Sequence, residues 1–117
     1  MKYSVRENIG IHGISMQDGE KLYQAIFPKL LNKQNVELDF SEVGVVAPPF
    51  LNAGIGKLLR DIEPQDLNHY LTFRNMKSTT HDLVQRVINH AKVYYSDESV
   101  RNAVDAVIAK YANDDDD

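Results

Sequence analysis

The sequence predicts a single α/β domain in which a mostly parallel sheet of about four strands is packed by helices. Short runs in which every second residue is apolar, typical of strands, alternate along the chain with longer stretches in which apolar residues recur at helical spacing. Connections long enough to hold a helix place successive strands parallel to each other. The 117 residues suit one domain, which we expect over residues 1–112. The aspartate-rich end, 113–117, is predicted to be a disordered acidic tail.

The first third of the chain predicts a hairpin and then a helix. Apolar residues between Tyr3 and Ile14 are spaced as short strands, with turn-forming glycines among them, and this predicts an N-terminal hairpin. Ser15 and Asp18 resemble a capping box, which predicts a helix from Met16 to Asn32. Pro28 lies inside that helix, where it lacks a donor and crowds the preceding turn, so we expect a kink or an early end.

The middle of the chain predicts a central strand followed by a helix. Val36, Leu38 and Phe40 alternate with acidic residues, as in a strand with one buried face. Pro48 and Pro49 stop strand pairing and are well suited to the first turn of a helix. Apolar residues at helical spacing continue to Ile62, which predicts one helix packed against the sheet.

The last third predicts a loop, a strand and two helices. Residues 64–68 look like a loop, and Tyr70 to Phe73 are typical of a further strand that ends at Asn75. A second capping box at Thr79 and Asp82 predicts a helix that reaches Ala91. Ser96, followed by two acidic residues, predicts the start of a final helix.

Composition excludes several classes of function. The chain has no cysteine, which rules out disulfides, thiolate nucleophiles and cysteine-bound metals, and which suits a reducing cytoplasm. The net charge of −4 is supplied by the four terminal aspartates, and no basic cluster is available to bind nucleic acid. The first residues lack the apolar stretch of a secretory signal, and no segment has the length of a membrane span. We therefore expect a cytoplasmic protein that binds neither nucleic acid nor membranes.

Candidate catalytic and ligand motifs are weak. Gly54 and Gly56 precede Lys57, but Leu51 and Leu58 occupy the glycine and hydroxyl positions that a phosphate-binding P-loop requires. The four histidines lack metal-ligand spacing, and the acidic pairs show no sign of sharing a cleft. Asp39 ends the central strand, at the edge where ligands usually bind in α/β sheets, and its carboxylate either caps a turn or contacts a partner beside residues 48–52. We expect no enzymatic activity, no cofactor and no metal.

A stretch in the middle of the chain carries a family resemblance. Residues 36–59 read VELDFSEVGVVAPPFLNAGIGKLL, with an LDF-type strand end at 38–40 and a Phe-led helix whose G-x-x-L element spans 56–59. This arrangement resembles the STAS-like domains, which are bacterial proteins of unknown function related in fold to anti-anti-sigma factors. The capped helix before this stretch and the strand and helix after it also fit, so the resemblance extends over most of the chain.

The resemblance implies a regulatory module that docks onto a partner, typically an ATP-binding kinase-like protein, through the start of the helix after the central strand. Signalling members of the fold carry a phosphorylatable Ser or Thr there, whereas this chain has prolines, and the nearest hydroxyl, Ser41, lies before the loop. Docking without a phosphorylation switch is therefore expected. The alternative is a sensor of small ligands or nucleotides at the same helix start. The docking residues expected are Ala47, Pro48, Pro49, Phe50, Asn52, Asn75, Ser78 and Thr79.

Overall fold

The computed structural model describes residues 1–96. These residues form three strands, five α-helices and one 3-10 helix. In chain order the elements are β1 (Lys2–Ser4), α1 (Val5–Asn8), α2 (Met16–Leu31), β2 (Val36–Asp39), α3 (Pro48–Gly54), the 3-10 helix (Gly56–Arg60), α4 (Pro64–Tyr70), β3 (Leu71–Arg74) and α5 (Ser78–Ser96).

The three strands form a parallel sheet in the order β1-β2-β3. Tyr3 pairs with Leu38, and Leu38 pairs with Phe73, so these side chains share one face of the sheet. That face is turned toward the core, where Leu38 is fully buried. The opposite face is polar, and Glu37 on β2 forms ion pairs there with Lys2 and Arg74. The described helices therefore cover one face of the sheet.

Helices α2 and α3 pack closely because glycine replaces a side chain where they meet. A Cβ atom added to Gly19 would overlap the carbonyl oxygen of Phe50 and lie 2.8 Å from the Cβ of Ala53. Phe50 itself is fully buried, and a Cβ on Gly13 would lie 2.9 Å from its ring. The start of α3 is thus fixed against the turn that leads into α2.

The α/β class and the parallel sheet are confirmed, with three strands described where about four were predicted. The prediction of an N-terminal hairpin is wrong. Residues after Ser4 turn into α1, whose N-terminus is capped by the Ser4 hydroxyl, and β1 pairs with β2 instead of with its own neighbour in sequence. In the segment predicted to form the second strand of the hairpin, only Gly13 forms a β-bridge, and its partner is Val46. Local alternation could not distinguish this long-range pairing from a hairpin.

The helix predictions hold for α2 and the start of α3, with corrections elsewhere. The Ser15 hydroxyl accepts a hydrogen bond from the Asp18 N–H, as the capping box predicts, but α2 does not end early at Pro28 and reaches Leu31. Leu30, two residues after the proline, is buried, and its packing holds the last turn in place.

Three other helix boundaries differ from expectation. The single helix predicted to run from the prolines to Ile62 is divided at Gly54, where α3 ends, and continues as a 3-10 helix, since glycine is a poor residue in a helix interior. Residues 64–68 lie within helix α4 and are not a loop, with Pro64 at its first position. Thr79 lies inside the first turn of α5 and is not its cap, because this helix begins at Ser78.

The final helix predicted after Ser96 and the acidic tail over 113–117 lie outside the described residues. Helix α5 includes Ser96 itself.

Candidate functional site

The chain before α3 lies beside the chain before α2. Gly13 and Val46 form a parallel bridge, in which the Gly13 N–H donates to the Val45 carbonyl at 2.9 Å and the Ala47 N–H donates to the Gly13 carbonyl at 2.8 Å. The Gly44 N–H donates to the Ile11 carbonyl at 2.7 Å. Two helices, α2 and α3, begin within three residues of this bridge, at Met16 and Pro48. The docking region expected from the sequence is therefore built by two chain segments.

An imidazole also holds this loop in place. The Val45 N–H donates to Nδ1 of His12 at 2.9 Å, which makes Nδ1 an acceptor and leaves the proton of the neutral ring on Nε2. A Cβ on Gly44 would lie 2.8 Å from Cε1 of His12, so the ring lies directly on the loop backbone. His12 thus has a structural role, which fits the absence of metal-ligand spacing among the histidines.

Several apolar side chains are exposed on the two segments that form the bridge. Of the seven large hydrophobic side chains that are exposed in the described residues, four lie on these segments, as do the two exposed prolines that open α3. Monomeric proteins usually keep such groups dispersed, and a concentration of them marks an interaction surface. We call this surface the helix-start patch, which comprises Ile11, Ile14, Met16, Val45, Pro48 and Pro49.

The apolar residues of the patch that precede α3 were missed by sequence reasoning, which placed Ile11 and Ile14 in a hairpin. One signal in the sequence points to the exposure of Ile14. It precedes the capping residue Ser15, and in this position an apolar residue normally packs against the fourth residue of the helix. That residue is Gly19, which has no side chain to offer, and Ile14 remains 49% exposed.

Helix α3 presents one exposed face that contains three of the expected docking residues. Pro48, Pro49 and Asn52 are exposed on it, and Ala47 is half-buried at its start. Phe50 is a correction, because its side chain is 0% exposed and cannot touch a partner while the fold is intact. It heads the apolar row of α3, and the helical spacing that makes it first in that row also turns it into the core.

The second expected segment, after β3, lies partly beside the first. Ser78 and Thr79 are exposed in the first turn of α5. Thr79 lines a surface depression of about 410 Å³ together with Val45 and Val46 of the loop before α3. Asn75 lies elsewhere, at the end of the sheet, where its side-chain amide donates to Asp39. The structure therefore brings Thr79, but not Asn75, to the loop that leads into α3.

Asp39 is held by its own turn. Its Oδ1 accepts hydrogen bonds from the Asn75 side-chain amide at 3.0 Å and from the Ser41 N–H at 2.9 Å. These two bonds, the one from Asn75 foremost, lower the pKa of Asp39 below its ordinary value, and Lys2 adds to the effect. A carboxylate that is kept ionised by neighbours on the same fold is a poor general base or acid. The turn-capping reading of Asp39 is the one that this geometry supports.

Replacing Asn75 tests this reading of Asp39. Asn75 has a positive φ of 56°, so Asn75→Gly removes the amide donor without straining the backbone. We expect the pKa of Asp39 to rise toward its ordinary value in this variant, as followed by the NMR chemical shift of its carboxyl carbon during an acid titration. A lowered pKa stabilises the fold above the unfolded-state pKa and loses that effect as the pH falls, so the variant should lose less stability on acidification.

Lys2→Gln is the matched control for that titration. Lys2 is the smallest contributor to the lowered pKa, so its removal should raise the Asp39 midpoint less than Asn75→Gly does. An Asp39 midpoint that is the same in wild type and Asn75→Gly would contradict the assignment.

The start of α3 offers little to an anion. Proline has no N–H, so Pro48 and Pro49 remove two of the donors that a helix N-terminus ordinarily presents. The Leu51 N–H donates to the Ala47 carbonyl at 3.2 Å, and Ala47 provides no side-chain cap. The N-terminus of α3 therefore presents few hydrogen-bond donors to an anion.

Residues 1–96 contain no cluster of three or more His, Cys, Asp or Glu side chains that could hold a metal ion. None of the helices in this part of the chain is long and apolar enough to cross a membrane.

Comparison with known proteins gives a family. The family model for the STAS-like domain of unknown function (DUF4325) matches residues 18–81, which is more than half of the chain and runs from the first turn of α2 to the first turn of α5. No curated protein and no solved structure matches the chain. The match includes the central strand and the start of α3, with Val45, Pro48 and Pro49 of the patch, whereas Ile11, Ile14 and Met16 precede the matched residues. The chain therefore belongs to the family of STAS-like domains of unknown function.

Proposed function

We propose that this STAS-like domain is a non-catalytic regulatory module that docks onto a partner protein through the helix-start patch. The observation that carries the proposal is the set of exposed apolar side chains on the two segments that lead into α2 and α3. The family resemblance implies docking at the start of α3. Aliphatic side chains of this kind gain free energy when a partner removes them from water, by about 25 cal/mol per Å² of apolar surface. The partner class that the resemblance suggests is an ATP-binding, kinase-like regulator.

Two features favour docking of a protein over capture of a small anion. The prolines remove backbone donors from the start of α3, which weakens the case for a nucleotide sensor. They also fix φ, so the loop is already ordered before binding and its ordering costs little. A nucleotide that binds the domain alone would raise its midpoint of thermal unfolding, because a ligand stabilises the state it binds. We expect ATP and other nucleotides to leave that midpoint unchanged.

The patch is tested by charge substitution with a matched control. Ile14→Arg places a cation in the patch, and Leu31→Arg places one at the other end of α2 at nearly the same exposure, 49% against 51%. Both variants should fold, because exposed substitutions usually change stability by about 0.5 kcal/mol or less. Tagged wild type and both variants are used to isolate a partner from the source cell, and its affinity is then measured with purified proteins.

We expect Ile14→Arg to raise the Kd at least tenfold and Leu31→Arg to leave it unchanged. Asn52→Arg, on the exposed face of α3, should also raise the Kd while leaving the midpoint of thermal unfolding in place. A partner that binds all the variants with wild-type affinity would show that the helix-start patch is not the interface.

Docking is predicted to be independent of phosphorylation at the start of α3. A phosphate there would add about −1.5 to −2 charges and repel an acidic partner surface, but Pro48 and Pro49 have no hydroxyl to accept it. Incubation of the domain with partner and ATP, followed by mass spectrometry, should find an unmodified and stably bound chain. Stoichiometric modification of Ser41, Ser78 or Thr79 that abolishes binding would restore a switch with a displaced acceptor.

A further inference from the structure

The free edge of β3 lies at the bottom of a groove. No described strand lies beyond β3, and a cavity of about 600 Å³ runs along this edge between α4 and α5. We call it the β3 groove. Leu59, Leu71 and Phe73 lie along its floor and Leu67 lines the side formed by α4, while polar groups contribute more of the exposed lining than apolar groups. This groove is a different surface from the helix-start patch.

Within residues 1–96, the backbone of β3 leaves hydrogen-bonding groups unpaired at this edge. The Phe40 N–H donates to the Arg74 carbonyl at 2.9 Å, so Arg74 turns its backbone groups toward β2. Because successive residues of a strand alternate in this respect, Phe73 turns its N–H and its carbonyl away from the sheet. Leu71 also turns its backbone groups away from β2. Its N–H donates to the Leu67 carbonyl at the end of α4, so only the Leu71 carbonyl is left for an incoming chain. Phe73 and Leu71 thus provide one donor and two acceptors to an incoming chain.

The dimensions and walls of the groove select one extended segment. Four residues of β3 span about 13 Å at 3.3 Å per residue, so the edge accommodates four or five residues of a strand. Along α5, a stripe at helical spacing forms the opposite wall, from His81 through Gln85 and Ile88 to Lys92. A second copy of this domain that approached edge to edge would bring its own α4 and α5 against these walls.

The charge of the walls selects the chemistry of that segment. Among the described residues that line the groove, Lys92 and His81 are basic and none is acidic. His81 has the carboxylate of Asp82 at 3.8 Å from its Nδ1, whereas Lys92 has no carboxylate partner among the described ion pairs. Lys92 is therefore the cation that attracts a carboxylate on the occupant.

We infer that the β3 groove binds an extended peptide segment of another protein, which adds to the sheet as a strand along β3. Main-chain hydrogen bonds to Phe73 give affinity in this mode of recognition, and pockets for alternate side chains give specificity. The preferred segment has apolar residues at alternate positions, which meet the floor, and an acidic residue near Lys92. The inference does not rest on the function proposed for the helix-start patch.

The test is selection of binding peptides on the immobilised full chain from a random octapeptide display library. Enriched peptides should alternate apolar and polar residues and contain Asp or Glu. Lys92→Glu should raise their Kd at least tenfold, whereas Arg86→Glu, the same charge change at an exposed position of α5 outside the groove, should leave it unchanged. Amide hydrogen exchange at Phe73 should slow when the peptide is bound, and Ile14→Arg should bind the peptide as wild type does.

Several results would overturn the inference. They are a selection with no enriched peptide, binding that is insensitive to Lys92→Glu, and binding without protection of the Phe73 amide. Protection of that amide that rises with protein concentration in the absence of peptide would instead identify a second copy as the occupant. Loss of peptide binding in Ile14→Arg would assign the peptide to the helix-start patch.

Discussion

Phe50→Ala is expected to destabilise the fold by about 3–5 kcal/mol, the largest loss that we predict for a single substitution. Phe50 is fully buried, and its ring fills the space beside Gly13 at the point where α3 meets the entry to α2. Truncation to alanine leaves a cavity at the point where the starts of α2 and α3 pack together. Chemical denaturation followed by circular dichroism measures the change in unfolding free energy.

Phe27→Ala is the matched control for Phe50→Ala. Phe27 is partly buried on α2 and stacks on Tyr23 with ring centroids 4.9 Å apart, so its removal opens no enclosed cavity. We expect a markedly smaller loss of stability than for Phe50→Ala. Equal losses in the two variants would contradict the placement of Phe50 at the centre of the core.

Gly19→Ala is expected to destabilise the fold by about 2–3 kcal/mol, although alanine is the better helix former by about 1 kcal/mol. The added methyl group would overlap the backbone carbonyl of Phe50, which cannot rotate away as a side chain can. Helices α2 and α3 must therefore separate. For a domain of this size the midpoint of thermal unfolding should fall by roughly 10 °C or more.

Gly56→Ala provides the comparison for Gly19→Ala. A Cβ there lies 3.2 Å from Cγ1 of Val87, a contact that a small movement of one side chain relieves. Its unfolding free energy should stay within about 1 kcal/mol of wild type. A Gly19→Ala variant as stable as Gly56→Ala would show that the α2–α3 contact is looser than described.

The sequence predicts the elements whose residues carry a strong local signal. Alternation around Leu38 identifies β2, and the capping pair at Ser15 and the prolines at 48 and 49 mark the first turns of α2 and α3. Helix α4 was missed because it has a single buried side chain, Leu67, which gives no periodicity to detect. The pairing of Gly13 with Val46 was missed because residues 33 positions apart meet only through the packing of the whole domain.

The exposed residues on α3 were predicted from the sequence, whereas the exposed apolar residues beside them were not. The prolines and Asn52 are exposed at the start of α3 as expected, since helical spacing identifies the face opposite the apolar row. Ile14 and Val45 are apolar residues whose spacing resembles that of core residues. Ile14 is exposed because Gly19, the residue it would pack against, has no side chain, and Val45 is exposed because it lies in a loop. The spacing of apolar residues along the chain does not show which groups face them in the fold.

Hydrogen exchange of the full chain, measured with and without its partner protein, tests the docking proposal most directly. We expect the partner to slow the exchange of amides in residues 11–16 and 44–52, the two segments that build the helix-start patch. Amides on the polar face of the sheet, around Glu37, should be unaffected. Unchanged exchange in both segments of the patch, with protection confined to the strand amides around Glu37, would contradict the docking proposal.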